Sequence, residues 1–526
     1  MLITTSSAAL LGIEAYVVEV EVDIAGGLPD YILVGLPDAS VRESKERVKA
    51  ALKNCGYDFP SRKVTVNLAP ADRRKEGPSF DLAIALGHLA FIDVVPAAAL
   101  KDYLFLGELA LDGRLKPVKG ALSAALLARR MGFKGLVIPK EDEKEAALLG
   151  DLRVYGLKDL GQVVSFLRNP ESVAPCRFDL SELLERDAAE PDFCEVKGQH
   201  HVKRALEVAA AGGHNVLLIG PPGAGKTMIA RRLPSILPDM SFEEIVEVTQ
   251  VFSAAGLLRG RGAVVRRPFR APHHTITDAG LIGGGLIPKP GEVSLAHHGV
   301  LFLDELPEFK RKVLEDLRQP IEDGVVTVVR QTASATFPSA FMFVAAMNPC
   351  ADVFRGMRGG AGGGGGMGGG GGMGGAGGAA ERDCTESQRS RYYSKISGPL
   401  LDRIDIQVEV PAVKFAEIRS RIDAEPSAAI KARVEAARKR QRERFRGRKV
   451  FANAQMGVRD IREFCKIDAE GEKLLEAAVS KLGFSARAYD RSLKVARTIA
   501  DLAGAADISS SHLAEAIQYR AMDRYY

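Results

Sequence analysis

Cysteine is sparse: six residues (Cys55, Cys176, Cys194, Cys350, Cys384 and Cys465) are scattered through 526, none in C-x-x-C spacing. That usage excludes a disulfide scaffold and a paired-thiol motif, and it points to a reducing, cytoplasmic setting. Long hydrophobic runs are missing as well. No span reaches the roughly 18 apolar residues that a membrane helix needs, so no membrane partner is expected. The N-terminus lacks a basic segment and Glu14 interrupts its only apolar run, which argues against a signal peptide. Charge of one sign is scarce: 72 Lys and Arg oppose 67 Asp and Glu, so the position of charge matters more than its sum. Against these absences, 46% hydrophobic and 26% charged residues are ordinary for a soluble globular chain. The length gives room for about three domains with cores of their own.

One stretch organises the rest. Gly220-Pro221-Pro222-Gly223-Ala224-Gly225-Lys226-Thr227 fits G-x-x-x-x-G-K-[ST]. Ahead of it, Asn215 to Ile219 reads as a buried parallel strand, and Met228 to Leu233 reads as the start of a helix. Glycines let successive N–H groups turn toward phosphate oxygens, and the helix N-terminus adds partial positive charge. Lys226 is placed to reach the β- and γ-phosphates of ATP and Thr227 to bind Mg²⁺. A second apolar strand, Gly299 to Leu303, ends in Asp304 and Glu305. Open α/β sheets place ligands at such strand ends. Asp304 is expected on Mg²⁺, directly or through water, and Glu305 as the general base that polarises the attacking water. A third strand, Phe341 to Met347, ends at Asn348, an amide suited to orienting water.

Positive charge collects in two places. One is an insertion between the first two strands, with Arg266, Arg267 and Arg270 followed by His273 and His274. Adjacent histidines on an extended chain point opposite ways and no third ligand is evident, so a non-metal role is favoured. The other is the helix Ala428 to Arg446, whose apolar face is Ile430, Val434, Ala437 and Phe445. Between Lys431 and Lys449 lie ten basic residues, Arg438, Lys439 and Arg440 among them, against Glu435 and Glu443. Contact with a phosphate backbone and a merely solvated helix face stand equally open for this run.

The N-terminal 170 residues alternate strands (Tyr16 to Asp23, Tyr31 to Val34, Lys63 to Leu68) with helices (Val41 to Leu52, Phe80 to Ala90). Lys75-Glu76-Gly77-Pro78-Ser79, Gly107-Glu108-Leu109 and Val137-Ile138-Pro139-Lys140 resemble the proteolytic domain of Lon proteases. The resemblance puts Ser79 where Lon carries its nucleophile and Leu122 where it carries the partner lysine, with Lys119 nearby in a different register. A serine without its base is an ordinary hydroxyl, so a structural or docking role is expected.

Over essentially the whole chain the sequence resembles the competence protein ComM family, also called YifB or Mg-chelatase-like ATPases. The resemblance is carried by Val66-Asn67-Leu68-Ala69-Pro70-Ala71-Asp72, the run from Arg267 to His274, Asp304 to Phe309, and Ile396 to Asp405. It implies an α/β protein: an AAA+ P-loop ATPase core with a helical C-terminal lid and a Lon-protease-like α/β domain in front. The implied divisions are 1–170, a linker at 171–190, the core at 191–395, and an arginine-finger segment with lid at 396–526. It further implies that Gly198 and Gln199 pack against adenine, and that Arg403 is an arginine finger for a neighbouring subunit. Arg487 is implied as the lid arginine that reaches nucleotide in cis. ATP and Mg²⁺ are the implied cofactors, branched or single-stranded DNA the partner, and a homo-hexamer the assembly. The implied activity is branch migration that supports integration of transforming DNA. A chelatase-type motor that drives metal insertion through a partner subunit is the alternative. One departure stands out: the cysteines that usually follow Asn-Pro-Cys in this family are replaced after Cys350 by Ala351 and Asp352, with only Cys384 downstream. Glycine makes up 17 of the 23 residues 356–378, a composition expected to form a mobile loop.

Overall fold

The computed structural model describes residues 2–181, 183, 191–258, 260–285, 288–330, 334–350, 385–413, 424–448 and 450–520. The glycine-rich segment 356–378, Cys384 and most of the acidic linker lie outside the described residues. In the N-terminal region a seven-stranded sheet runs through β1 (Leu2–Leu11), β2 (Glu14–Ala25), β3 (Asp30–Val34), β4 (Lys63–Ala69), β5 (Tyr103–Phe105), β6 (Gly135–Pro139) and β7 (Arg153–Leu157). Its strand order is β3-β4-β2-β1-β5-β6-β7. Helices α1 (Ser44–Asn54), α2 (Asp81–Phe91), α3 (Ala121–Met131) and α4 (Leu160–Arg168) cover it. Val18, Val20, Val22 and Ile24 are buried at every second position of β2, so its acidic partners face outward. Strand β1 had no sequence signal of this kind, because Thr, Ser and Ala on both faces blur the alternation.

The motor region contains β8 (Val216–Ile219), β9 (Phe269–Arg270), β10 (Val300–Leu303), β11 (Val325–Val329), β12 (Ser334–Pro338), β13 (Met342–Met347) and β14 (Ile406–Glu409). Five of these form a parallel sheet in the order β9-β10-β13-β8-β14. β11 and β12 make a separate antiparallel hairpin. Strands buried on both faces need unbroken apolar runs, and Val-Leu-Leu-Ile, Val-Leu-Phe-Leu and Met-Phe-Val-Ala-Ala-Met supply them. Alternate residues then serve two cores. Val216, Leu218, Phe302 and Val344 face one, while Leu217, Ile219, Leu303 and Phe343 face the other.

The first core is closed by α5 (His200–Gly212) and by the lid. The helices that follow α5 in the motor include α6 (Lys226–Ala230), α7 (Phe242–Ala255), α8 (Asp278–Leu281), α9 (Arg311–Asp316) and α10 (Arg318–Asp323). The lid comprises α11 (Ser427–Arg444), α12 (Val458–Phe464), α13 (Ala469–Leu482), α14 (Ala486–Ala503) and α15 (Ser510–Gln518). Ile430, Val434 and Ala437 of α11, Phe445 at its C-cap, and Leu493, Ala496 and Ala500 of α14 are buried in the same cluster as β8. Helix α6 is only five residues long. Pro234 follows it closely and prevents continuation. Helix α7 opens with a capping box, Ser241 to Glu244, a signal visible in the sequence as S-x-x-E.

The two regions meet at α3 and α7. Leu122 and Leu148 of the first pack with Ile245, Val248, Ala263 and Val265 of the second. Ser253 donates to the buried Glu145 carboxylate, which also accepts from the Leu122 N–H at 2.9 Å. The tip of the β1–β2 turn joins in, since Gln250 Nε2 donates to the Ile13 carbonyl at 2.9 Å. Lys119 lies across Gly256 at the end of α7. The helix that bears Leu122 thus faces the motor.

Candidate active site

Parallel order brings the ends of β8, β10 and β13 together, and with them the three motifs. The loop after β8 needs glycine for space: a Cβ on Gly220 would stand 2.1 Å from the Val410 carbonyl. Gly223 and Gly225 take φ of 79° and 87°, a region that favours glycine. The ammonium of Lys226 is buried and donates to Gly220 O at 2.6 Å, Pro221 O at 2.9 Å and Asn348 Oδ1 at 2.9 Å. Thr227 Oγ1 donates to Asp304 Oδ2 at 2.5 Å. Lysine, hydroxyl, carboxylate and amide from three strands are therefore one cluster.

Glu305 adopts φ 52°, ψ 49°, and its N–H is held by Asp304 Oδ1 at 2.9 Å. The two carboxylates diverge: Asp304 turns to Thr227, whereas Glu305 lies 3.8 Å from His274 Nδ1. The asparagine strand end is fixed by Tyr392, whose hydroxyl donates to Asn348 O at 2.8 Å. Gln199, at φ 54°, donates from Nε2 to Ala224 O at 2.8 Å and Pro411 O at 3.0 Å, beside Gly198. Its Oε1 is buried without a partner among the described residues, an acceptor suited to an exocyclic amine. These donors and acceptors fit a magnesium-bound nucleoside triphosphate.

The two lid-side arginines stand elsewhere. Arg403 and Asp405 precede β14, on the edge of the sheet opposite Gly220–Thr227, because β14 runs parallel to β8. Arg403 is 5% exposed; it pairs with Glu322 of α10 and donates to Pro399 O. That pairing holds the Glu322 carboxyl below its ordinary range. Arg487, 62% exposed, is 3.5 Å from Asp402. The exposed Arg487 side chain, implied to reach nucleotide in cis, stands here beside Asp402 of the finger segment.

Five of the six candidate DNA contacts have interactions within the chain. Arg267 donates to Pro238 O, His298 O and Asp239 O and pairs with Glu244 at 2.9 Å. Arg270 makes a two-pronged pair with Glu292, at 2.6 and 2.7 Å. Arg438 is enclosed between Phe451 O and Ala210 O, and burial lowers its pKa to about 9. Arg440 donates to Asp501 O at 2.6 Å. Arg266 is half-buried and engaged as well. The guanidinium groups of Arg267, Arg270, Arg438 and Arg440 thus donate to internal carbonyls or carboxylates, with Arg440 at an exposed position. Lys439 alone of the six is exposed with no partner among the described residues.

Sequence reading also missed a cluster of Glu247, His297 and His298, whose ligand atoms lie within 4.8 Å of one another. The Ala340 N–H donates to His297 Nδ1 at 3.0 Å, so the neutral ring carries its proton on Nε2 and gives it to Glu247 at 3.1 Å. A metal would need the lone pair that this arrangement occupies. Hydrogen bonds from both histidines hold the Glu247 carboxyl far below its ordinary range.

Phosphate loop, acidic strand and asparagine strand on one edge of a five-stranded parallel sheet, under a helical lid, define an AAA+ P-loop ATPase. The comparisons with known proteins agree. Family models described as "Magnesium chelatase, subunit ChlI", "Subunit ChlI of Mg-chelatase" and "Magnesium chelatase, subunit ChlI C-terminal" match residues 192–357 with 372–418, 20–142, and 424–520. The chain is 42% identical over 525 residues to Competence protein ComM of Haemophilus influenzae, covering 98% of this chain and 97% of that one. It is 42% identical over 517 residues to protein YifB of Escherichia coli, covering 98% and 96%. Lon protease 2 of Bacillus subtilis is 30% identical over 160 residues, 28% of each chain. The chain belongs to the ComM/YifB family of Mg-chelatase-type AAA+ ATPases. Among the described residues, no helix is long and apolar enough to cross a membrane.

Proposed function

We propose that the protein is an ATP-hydrolysing ring motor that acts on DNA, a branch-migration enzyme supporting the integration of transforming DNA. One observation carries the ring: Lys226, Thr227, Asp304 and Asn348 share one edge of the sheet while Arg403 and Arg487 stand at the other. A four-residue strand spans about 13 Å, so these arginines serve a neighbour's nucleotide better than their own. Lys226 would hold the β- and γ-phosphates, Thr227 and Asp304 the Mg²⁺, Gln199 the base, and Asn348 the water that Glu305 activates. The metal, when bound, neutralises phosphate charge. Arg403, released from Glu322, would then complete the site across the subunit boundary. A homo-hexamer is the assembly proposed.

The name Competence protein, carried by the Haemophilus relative, supports the DNA reading. The phosphate grip reduces to Lys439 and Arg442 on α11 and Arg446 just beyond its end, all three exposed. The alternative function, a chelatase-type motor that drives metal insertion through a partner subunit, is favoured by the description of the matching family models. The Lon-like region is proposed as a docking domain without protease activity, since α3 is committed to the motor.

ATP turnover measured with branched DNA over a salt series separates the readings. DNA-stimulated turnover, abolished in Glu305→Gln and Lys226→Ala, with ATP binding kept only in the former, supports the motor. Mixtures of wild type with Arg403→Ala should lose activity faster than the mutant fraction rises. Turnover indifferent to DNA turns the reading to the chelatase type.

A further inference from the structure

Most candidate cations of the motor insertion and the lid are engaged inside the chain; those on one helix of the Lon-like region are not. Helix α1 buries Val48, Ala51 and Leu52 against the sheet and turns its other side to solvent. There Lys45, Lys49 and Lys53 recur every fourth residue, with Arg42 in the turn just ahead. At about 100° per residue these positions fall within about 80° of one another around the helix, so they form one stripe. Arg42 and Lys53 are exposed, Lys45 and Lys49 half-buried, and no ion pair engages any of them among the described residues. Arg47, by contrast, turns inward to the buried Asp81 at 2.6 Å.

The two inner lysines rest on aromatic rings. Lys45 Nζ is 5.7 Å from the centroid of Tyr31, and Lys49 Nζ is 6.0 Å from that of Phe59. The rings stack on each other at 6.3 Å, and Phe59 stacks on the buried His88 at 5.1 Å, so they make a fixed plate. Cation–π attraction and burial of the stems hold these lysines in place while the ammonium heads stay in water. Less side-chain freedom is then lost when an anion binds. Charge is also sorted across the sheet. Glu19 and Glu21 of β2 alternate with Val18, Val20 and Val22, which share a core with α1, so the acidic side chains point away from the stripe. Glu43 lies 3.6 Å from Arg47, and Glu46 stands on the flank of the stripe.

A rise of about 1.5 Å per residue spreads Lys45 to Lys53 along roughly 12 Å. Each strand of a DNA duplex carries a charge about every 3.4 Å of axis, so the stripe faces about three phosphates. Ammonium groups act as point charges, which suits phosphate and reads no base. Regular spacing along a line, with no apolar residue in the stripe, fits a rod-like polyanion better than a lipid surface or an acidic peptide.

We propose that Arg42, Lys45, Lys49 and Lys53 form a binding surface for the phosphate backbone of DNA, separate from the lid cations Lys439, Arg442 and Arg446. The proposal rests on the reading of the protein as a DNA motor, and it names DNA as what the Lon-like docking domain holds. Without base-reading groups the surface accepts any sequence.

The test is fluorescence anisotropy of the full chain with labelled duplex DNA across a salt series. It compares wild type, Lys45→Gln/Lys49→Gln/Lys53→Gln and Glu46→Lys. A control, Lys101→Gln/Arg130→Gln/Lys158→Gln, removes as many exposed charges elsewhere in the region. Thermal melting reports folding. The log–log slope should flatten by about two to three units in the stripe variant, steepen by about one in Glu46→Lys, and move by less than about half a unit in the control. Wild-type slopes in the folded stripe variant and in Glu46→Lys, or a control that flattens the slope equally, would overturn the proposal and leave the DNA reading standing. Loss of binding to phosphatidylglycerol vesicles or to polyglutamate in the stripe variant, with DNA binding unchanged, would overturn it in favour of a lipid or an acidic protein. A wild-type protein that binds no duplex at low salt would remove the DNA reading itself, and the proposal with it.

Discussion

Asp405 joins the finger segment to the lid, and replacing it with asparagine tests that joint. The carboxylate is buried, pairs with Arg491 of α14, accepts from Asn215 N at 3.1 Å and lies 3.4 Å from His214 Nδ1. Arg491 also donates to the Arg403 carbonyl at 3.1 Å, so one guanidinium bridges lid and finger. Burial alone would raise the Asp405 pKa, but Arg491 and His214 outweigh it and hold the carboxyl well below its ordinary range. Asp405→Asn keeps the shape and removes the charge. Breaking a buried pair costs about 3–5 kcal/mol. Arg491, at 22% exposure, recovers part of its hydration, which brings the expected loss to roughly 2–3 kcal/mol. For a unit of this size that lowers Tm by about 5–10 °C. The sign with pH follows from the depressed carboxyl: its contribution is complete above the unfolded value near 4 and is lost as pH falls below it. The gap between wild type and variant, followed by circular dichroism melts, should therefore stay constant from about pH 8 to 5 and narrow only below about pH 4. A variant melting within about 1 °C of wild type at pH 7, or a gap that changes between pH 5 and 8, would refute the reasoning.

Asp142 runs the other way: burial pushes its carboxyl up to about 7 even though it accepts from Val118 N at 2.8 Å. Its folded protonated form is stabilising at low pH and that contribution disappears as pH rises through 7, so Asp142→Asn should raise stability by up to about 4 kcal/mol near pH 8 and progressively less below pH 7, as melting curves at both pH values would show. Leu122→Lys, which restores the residue type of the Lon position, should yield no casein cleavage and should loosen the α3–α7 seam by about 2–4 kcal/mol, visible as faster proteolysis between the two regions. Arg267→Ala should lower Tm by several degrees through loss of the Glu244 pair and three carbonyl contacts, whereas Lys439→Ala with Arg442→Ala should leave Tm within about 1 °C and flatten the salt dependence of DNA binding by about one log–log unit per lost contact.

Short-range chemistry was readable in the chain. The phosphate loop, the Asp304-Glu305 pair and Asn348 each need contiguous residues after an apolar run, and a strand buried on both faces leaves no alternative pattern for Val216–Ile219 or Val300–Leu303. The stripe Ile430, Val434, Ala437 and Phe445 likewise fixed which side of α11 packs. The hairpin β11–β12 escaped notice because valines occupy both of its faces, 325 and 329 outward and 326 and 328 inward. What the arginines do was decided only in three dimensions. Arg267 meets Glu244 at a separation of 23 residues and Arg438 meets Ala210 O at 228, and no local pattern distinguishes them from the exposed Lys439. A guanidinium is drawn to whichever carboxylates and unpaired carbonyls folding brings within reach, because a buried charge left without partners is costly. The same holds for His274, which packing between His273 and Phe309 sets beside Glu305, 31 positions further along the chain. Sequence specified the groups that handle phosphate; tertiary structure decided which cations are paired within the chain and which side chains stand beside Glu305.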